Sequence, residues 1–159
     1  MTARRRTPPR QRARYSVPTR YTVDASVFVN AFNPHEDGHA ASLAIIAAIQ
    51  ERGDPVIVPA LVVTEVAAAV ARSTDDTDGA IAYANAAAAL PHLTLVSLTP
   101  AVARQAAELA SAHRLRGADA IYLTIARRYG TTLVTRDAEQ RRRGGAVVPC
   151  RTPGEALED

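Results

Sequence analysis

The sequence predicts an α/β fold: one domain with a mainly parallel central β-sheet of about five strands flanked by helices. Short runs rich in Val, Ile and Thr alternate with longer Ala-rich stretches that have helical periodicity. Pro and Gly separate these segments, and 159 residues suit a single domain of ordinary size. Because aromatic residues make up 4% of the chain and Trp is absent, we expect a core of Ala, Val, Leu and Ile.

The first half of the chain is predicted to contain two strands and four helices. Gly53 is typical of a helix C-terminus, and the β-branched run between Pro55 and Pro59 is typical of a short buried strand. Clustered Asp residues at 75–78 favour a helix start. The predicted elements are a strand at about 20–24, helices at about 26–32 and 38–52, a strand at 55–59, and helices at 60–72 and about 75–90.

The second half continues the alternation of strands and helices. Thr99 supplies a capping hydroxyl before Pro100, which is favoured in a first helical turn. Gly130 and Gly144 are placed to end helices. The predicted elements are a strand at 93–97, helices at about 100–115 and 117–130, a strand at 131–135, a short helix from 137 to about 144, and a last strand at 146–148.

Several classes of protein are disfavoured by composition. No apolar run approaches the roughly 18 residues that a membrane span needs, and no apolar stretch follows the basic N-terminus as it would in a secretory signal. The single cysteine, Cys150, excludes an internal disulfide and is compatible with a reducing compartment. We therefore expect a cytoplasmic protein with no membrane partner.

Four carboxylates lie where this layout can bring them together: Asp24, Glu65, Asp119 and Asp137. Helix capping is a sufficient explanation for each of the three Asp residues taken singly, since each lies at or just before a helix start. Glu65 lies inside a helix with little other polar surface, where an unpaired charge is unfavourable. It needs solvent or a partner, and a bound cation is the natural partner of clustered acids.

Oxygen ligands of this kind fit a hard divalent cation, Mg²⁺ or Mn²⁺. Such an ion on a carboxylate cluster can activate water and stabilise in-line attack on a phosphodiester. Without metal, four acids so close would raise one another's pKa values. The chain contains no P-loop, no GxGxxG after a strand, no zinc pattern of Cys and His, and no GxSxG motif.

Four segments in this order and spacing carry a family resemblance: Val23–Ser26, Thr64–Val66, Arg116–Leu123 and Leu133–Asp137. Together they resemble a PIN domain, and more narrowly the VapC toxins of bacterial type II toxin–antitoxin systems. The resemblance covers about residues 20–150. It implies a parallel sheet with helices on both sides, Mg²⁺- or Mn²⁺-dependent endoribonuclease activity on an RNA substrate, and a cognate antitoxin whose C-terminal segment covers the active site.

The resemblance also implies roles for individual residues. Asp24, Glu65 and Asp119 would be the principal acids, and Asp137 a fourth that holds metal directly or through water. The supporting residues would be hydroxyls that orient carboxylates or water, Ser26 and Thr135, and a side chain one helical turn further on, Asn30. Turn or cap bonding is the alternative explanation for the two hydroxyls and is favoured for Thr135. A place on the helix surface is the alternative for Asn30.

Basic residues and partners are predicted with open alternatives. Arg116 and Arg136 flank two of the acids, where they would contact RNA phosphate or take part in ordinary salt bridges. The family resemblance also implies a homodimer. The small side chains of the Ala-rich helix at 80–90 would allow close helix approach, although that helix could equally pack on its own core.

The net charge of +3 is divided unevenly along the chain. All 19 basic residues are Arg; seven of them lie within residues 1–20, which contain no acid, whereas the rest of the chain has 12 Arg against 16 acids. Residues 1–19 are therefore predicted to be a disordered, Arg- and Pro-rich arm. The arm would tether RNA through its phosphates, or it reflects an over-long gene start. The nuclease-like domain is expected at 20–150, and a C-terminal tail at 151–159.

Two other functions compete with the ribonuclease interpretation. A non-catalytic PIN-like module would bind RNA or a protein partner without metal chemistry, although a retired site would be free to lose its carboxylates. A phosphatase with an Asp nucleophile also begins with an acid at a strand end. That chemistry expects a second acid two residues later, where this chain has Ser26.

Overall fold

The computed structural model describes residues 19–158, so the predicted arm at 1–19 lies outside it except for Thr19. Within this range five strands form one sheet in which all paired neighbours are parallel. The strands are β1 (Tyr21–Val23), β2 (Val56–Pro59), β3 (Leu93–Val96), β4 (Thr132–Val134) and β5 (Cys150–Arg151). Their order across the sheet is β3-β2-β1-β4-β5, which confirms the predicted α/β fold.

Helices connect and cover the strands. Those in the described range are α1 (Ala25–Phe32), α2 (His39–Arg52), α3 (Leu61–Thr74), α4 (Thr77–Ala88), α5 (Pro100–His113), α6 (Gly117–Tyr129), α7 (Ala138–Gly144) and α8 (Pro153–Leu157). Helix α6 packs directly on β1, β2 and β4, while α3 pairs with α4 and α5 pairs with α6. None of the helices within residues 19–158 is long and apolar enough to cross a membrane.

The core is aliphatic, as the composition predicts. Central strand residues such as Val23, Val58 and Leu133 are essentially inaccessible, and α6 adds Leu123 and Ile125 to the same interior. Strands buried on both faces give continuous apolar runs rather than an alternating pattern. This rigid sheet fixes where the ends of the strands lie.

The last strand differs from the prediction. Residues 146–148 form a turn, and the strand begins at Cys150. The backbone N–H groups of Val147 and Val148 donate to the carbonyl of Gly144, at 2.8 and 3.1 Å, and so fold the chain back onto the end of α7. Val148 still reaches the core with 7% of its surface exposed, so its apolar character is satisfied without strand pairing.

The segment expected as a tail, 151–159, belongs to the folded domain as far as Leu157. Arg151 pairs with β4 in the sheet, and α8 packs against α2. Pro153 and Ala156 are the residues of α8 that become buried. The domain boundary predicted at residue 150 is therefore wrong, because the last turn of helix contributes to the core.

Candidate functional site

The sheet has a switch point between β1 and β4. From β1 the chain winds outward through β2 and β3 on one side, and β4 and β5 lie on the other side. Ligands of open α/β sheets bind in the crevice beyond the carboxyl ends of the strands at such a point. Asp24 directly follows β1 and Asp137 follows β4, so the two acids flank this crevice.

The four predicted acids line one open cleft of about 570 Å³. Asp24 and Asp137 come from the strand ends, Glu65 from the second turn of α3, and Asp119 from the first turn of α6. The remaining wall is formed by Ala25, Ser26, Val29, Thr64, Ala68, Ala69 and Arg72. The structure thus brings together acids that are separated by up to 113 residues, counted from Asp24 to Asp137.

Asp24 is both a helix cap and a cleft residue. Its Oδ2 accepts a hydrogen bond from the Ser26 N–H at 3.0 Å, which caps α1, and 8% of its surface remains exposed. Burial raises the pKa of this carboxyl, while the hydrogen bond from Ser26 and the nearby polar side chains of Thr135 and Gln140 lower it. Capping therefore explains the position of Asp24 but not its burial in an acidic cleft.

Glu65 is held by a residue that the sequence analysis did not single out. The Tyr122 hydroxyl, at the end of a fully buried side chain, donates to Glu65 Oε2 at 2.7 Å. The pKa of Glu65 is raised, first by burial and then by the charges of Asp24 and Asp119, and the tyrosine hydrogen bond opposes this rise. A carboxylate inside a helix is thus oriented by a neighbouring helix.

Asp119 differs from the other three acids, whose carboxylates all accept hydrogen bonds. Within residues 19–158 its carboxylate accepts no hydrogen bond, and it does not cap α6, whose N-cap residue, Arg116, makes no side-chain cap bond either. Burial and the charges of Asp24 and Asp137 raise its pKa to about 6, although Arg116 lowers it. The capping explanation for Asp119 is therefore wrong.

Asp137 divides its two oxygens between different roles. Oδ1 accepts from the backbone N–H groups of Glu139 and Gln140, at 2.8 and 2.9 Å, and so caps α7. Oδ2 lies 4.0 Å from Nη1 of Arg116, whose side chain is 77% exposed. This long and solvated ion pair leaves Oδ2 available to a ligand in the cleft.

The two predicted hydroxyls connect the ends of β1 and β4. Ser26 Oγ and Thr135 Oγ1 lie 3.5 Å apart, at the limit of a hydrogen bond. Ser26 Oγ accepts from the Arg136 N–H at 3.2 Å, and Thr135 Oγ1 accepts from the Asp137 N–H at 3.1 Å. The Thr135–Asp137 bond is of the turn type, whereas the contacts of Ser26 Oγ join segments that are distant in sequence. Their combined effect is to fix Asp24 and Asp137 relative to each other.

Asn30 and Arg136 do not reach the acids. Asn30 is buried; its amide donates to Glu36 at 3.0 Å and to the Asp37 carbonyl at 3.1 Å, and its oxygen accepts from Ser42 at 2.7 Å. Arg136 turns to the same loop, 3.6 Å from Glu36 and 2.6 Å from the Asp37 carbonyl. For Arg136 the structure agrees with the salt-bridge alternative. The polar groups of Asn30 bond to the loop before α2 and to α2 itself, so this side chain neither supports the cleft nor lies on the helix surface.

Gln140 is a second residue that sequence reasoning missed. It is 1% exposed, and neither its amide nitrogen nor its amide oxygen completes a hydrogen bond within residues 19–158. The side chain nevertheless lies close enough to Asp24 to lower the pKa of that carboxyl. A buried polar group without completed bonds is unfavourable for folding, so its place beside an acid favours a functional reason.

The chemistry of the cleft fits a hard divalent cation. Its donors are carboxylate oxygens, and three of the acids have raised pKa values, for one of which, Asp119, the charge of Arg116 offsets only part of the rise. In residues 19–158 no three or more His, Cys, Asp or Glu side chains already lie close enough to enclose an ion. The four acids would be the ligands, assisted by water, as is usual for Mg²⁺.

Comparison with protein families settles the relationship. The model of the PIN domain family matches residues 21–146, which include all four acids of the cleft. The chain belongs to the PIN domain family. The matched residues include β1 to β4 of the sheet and the acidic cleft at its switch point.

Solved toxin structures share the fold of this PIN domain. VapC20 from Mycobacterium tuberculosis, described as a sarcin–ricin loop cleaving toxin, has a TM-score of 0.67 and 18% identity over 79% of this chain and 95% of its own. VapBC2 from Rickettsia felis, solved with a promoter DNA fragment, has a TM-score of 0.64 and 14% identity over 84% and 98%.

A toxin–antitoxin complex from Klebsiella pneumoniae is similar at a TM-score of 0.59 and 17% identity, over 85% of this chain and 97% of the matched chain. Comparison with curated proteins gives no match. At these identities the structural similarities show the fold, and the chemistry has to be argued from the cleft.

Proposed function

We propose that this PIN domain is an endoribonuclease that hydrolyses RNA phosphodiester bonds with Mg²⁺ or Mn²⁺ as cofactor. One observation carries the proposal: four carboxylates from β1, α3, α6 and β4 line a single cleft. Burial raises the pKa values of Asp24, Glu65 and Asp119, and repulsion by neighbouring acids adds to the rise for Glu65 and Asp119. Such an arrangement is unfavourable for the protein alone, and a divalent cation offsets it.

The four acids would hold the cation in two ways. Asp24, Glu65 and Asp119 are the principal ligands, and Asp137 binds directly or through water. When bound, the ion would lower the pKa of water and neutralise charge that develops on the phosphate. The chain's contribution is to fix the ligands: Tyr122 holds Glu65 at 2.7 Å, and the Ser26 N–H holds Asp24 at 3.0 Å.

We further infer that the chain is the toxin of a type II toxin–antitoxin pair, neutralised by a cognate antitoxin. The solved structures that share the fold support this inference, since they include a VapBC complex and a toxin–antitoxin complex. A homodimer is part of the same proposal. Ala80 and Ala84 of α4 pack inward, whereas Ile81 remains 49% exposed, so one face of that helix is open to a second subunit.

Growth on expression of the chain tests the toxin proposal. Wild-type protein should arrest bacterial growth, and Asp24→Asn should not, because the amide keeps the helix cap but loses the charge. Glu108→Gln, an exposed acid on α5, is the matched control and should remain toxic. Equal toxicity of the wild type and Asp24→Asn would refute the proposal.

Isothermal titration separates an enzyme from a non-catalytic module. The wild type should bind Mn²⁺ in the millimolar range or more tightly, whereas Asp24→Asn should bind it more weakly. No binding of Mn²⁺ by the wild type would favour a module that contacts RNA or protein without metal.

A further inference from the structure

The cleft continues beyond the acids along helix α3. The wall contributed by α3 consists of Thr64, Glu65, Ala68, Ala69 and Arg72, which recur at the spacing of one helical face. After Glu65 the wall is formed by two alanines and then by an arginine. The far arm of the cleft therefore combines small side chains with a single cation at its end.

Arg72 is not used by the fold. Its side chain is exposed, and within residues 19–158 it makes no ion pair or side-chain hydrogen bond. Arg116, by comparison, already lies 4.0 Å from Asp137, and Arg136 is engaged by Glu36. Arg72 is in the last turn of α3, where a cation also complements the helix dipole, but the dipole does not require the side chain to line the cleft.

We propose that Arg72 binds a backbone phosphate of the RNA strand that occupies the cleft. This inference rests on the proposed ribonuclease function and names the second point at which the substrate is held. A guanidinium presents paired N–H donors that suit phosphate oxygens. The four acids repel a nucleic acid strand, so a cation on the same wall is needed to hold the strand near them.

The distance along α3 suits this role. Arg72 lies seven positions after Glu65, and a rise of about 1.5 Å per residue places them about 10 Å apart along the helix axis. Successive stacked nucleotides of one strand are spaced by about 3.4 Å. Arg72 therefore contacts a phosphate within about three nucleotides of the bond at the acids.

The alanines between the two residues support a polymer rather than a small ligand. Ala68 and Ala69 lack bulk, so a strand can lie close to the helix between the acids and Arg72. Val29 of α1 adds an apolar surface to the cleft, on which a ribose or base can rest. An acidic peptide would satisfy Arg72 as well, and the RNA-binding behaviour of Arg72→Gln distinguishes the two occupants.

Salt dependence of RNA binding tests the inference. The experiment uses the full-length chain with Asp24→Asn to prevent cleavage, a labelled single-stranded RNA, Mn²⁺, and anisotropy at several salt concentrations. The slope of log K against log salt is negative, and the loss of one phosphate contact reduces its magnitude by about 0.7. Arg72→Gln should show this smaller slope and bind about fivefold more weakly at ~0.1 M salt.

Two further variants isolate the contact. Arg104→Gln removes an exposed arginine of α5 outside the cleft and should keep the parental slope. Arg72→Lys keeps the charge and should recover most of the slope, which a merely structural role would not predict. The inference is overturned if Arg72→Gln keeps the parental salt slope of RNA binding, even if this variant loses affinity for an acidic protein partner. It is also overturned if Arg104→Gln reduces the slope as much as Arg72→Gln does.

Cleavage by the protein without substitutions distinguishes the two levels of the proposal. If it cleaves RNA while Arg72→Gln shows the parental binding slope, the role of Arg72 alone is wrong. If it neither binds nor cleaves RNA, the ribonuclease proposal fails, and the role of Arg72 fails with it.

Discussion

The surroundings of Asp119 oppose its ionisation. Burial and the charges of Asp24 and Asp137 raise its pKa to about 6, well above the ordinary value of 3.8. Asp24 and Glu65 are shifted in the same direction, chiefly by burial. In the metal-free protein, ionisation of this cleft therefore works against folding, and a bound cation removes the conflict.

The stability of the metal-free protein should consequently fall as the pH rises. Because the folded-state pKa of Asp119 exceeds its unfolded value, its contribution is fully present below pH 3.8 and is lost as the pH rises through about 6. Denaturation in EDTA at about pH 5 and about pH 7.5 measures the difference in the free energy of unfolding between the two pH values. Asp119→Asn should reduce the difference; a pH dependence identical to that of the wild type would contradict the assignment.

Tyr122 acts through Glu65, so we regard it as a positioning residue. Tyr122→Phe removes the donor to Glu65 Oε2 and should weaken Mn²⁺ binding and RNA cleavage by about 10-fold or more. It should also lower the free energy of unfolding by about 1 to 2 kcal/mol.

A second tyrosine provides a matched control for this change. Tyr83 donates to the Phe28 carbonyl at 2.7 Å and lies outside the cleft. Tyr83→Phe should therefore affect stability but not Mn²⁺ affinity. If Tyr122→Phe changes stability alone, the hydroxyl is only structural.

The position of Gln140 beside Asp24 reduces the stability of the fold, because both of its buried amide atoms lack hydrogen-bond partners within residues 19–158. Gln140→Met keeps the length of the side chain and removes the two unsatisfied polar atoms, so it should raise the free energy of unfolding by about 1 kcal/mol. Mn²⁺ affinity should fall by about tenfold, as for other residues that support metal ligands. Gln50→Met is the control: it removes another buried unsatisfied oxygen, one that lies away from the acids, and should leave Mn²⁺ affinity unchanged. If Gln140→Met binds Mn²⁺ as tightly as the wild type, the proposed role of Gln140 is wrong.

Among the elements, helix ends follow local chemistry and are readable from sequence. Gly53 and Gly130 end α2 and α6 with φ angles of 68° and 63°, a region that favours glycine. Thr99 caps α5 by accepting from the Val102 N–H. The last strand was less readable because Val147 and Val148 satisfy burial and backbone bonding through a turn on Gly144.

The acids were predictable because strand ends and an unexplained charge inside a helix are local signals. In the sequence Tyr122 is one member of an apolar face of a predicted helix, and only the tertiary structure shows that its hydroxyl reaches Glu65. Gln140 carried no signal except its place three residues after the cap Asp137. Asn30 was misplaced because hydrogen bonds with the loop before α2 depend on tertiary structure.

Helix α8 should be needed for the stability of the domain. Ala156 is fully buried in it, whereas its neighbour Leu157 is 37% exposed. Ala156→Asp should lower the free energy of unfolding by about 3 kcal/mol or more, because it buries an unpaired charge. Leu157→Asp should have a much smaller effect in the same urea titration; equal stabilities of the two variants would show that α8 is not docked.

At the scale of the whole molecule, charge is separated along the chain. Residues 1–20 carry seven Arg and no acid, while residues 21–159 have four more acids than Arg, from 16 and 12 respectively. The acidic part contains the cleft, where negative charge is concentrated at the switch point of the sheet. A strand of RNA can approach this cleft closely only when cations, bound metal and nearby arginines together, offset the acids.

Cleavage of RNA by the purified protein tests the central claim most directly. We expect the wild type to cut single-stranded RNA in Mn²⁺, to stop when EDTA removes the metal, and to resume when Mn²⁺ is restored. Glu108→Gln should behave as the wild type, whereas Asp24→Asn should be inactive although folded. RNA cleavage that persists in EDTA or in Asp24→Asn, or a folded wild type that binds Mn²⁺ and RNA but cuts neither single-stranded nor structured RNA, would contradict the account.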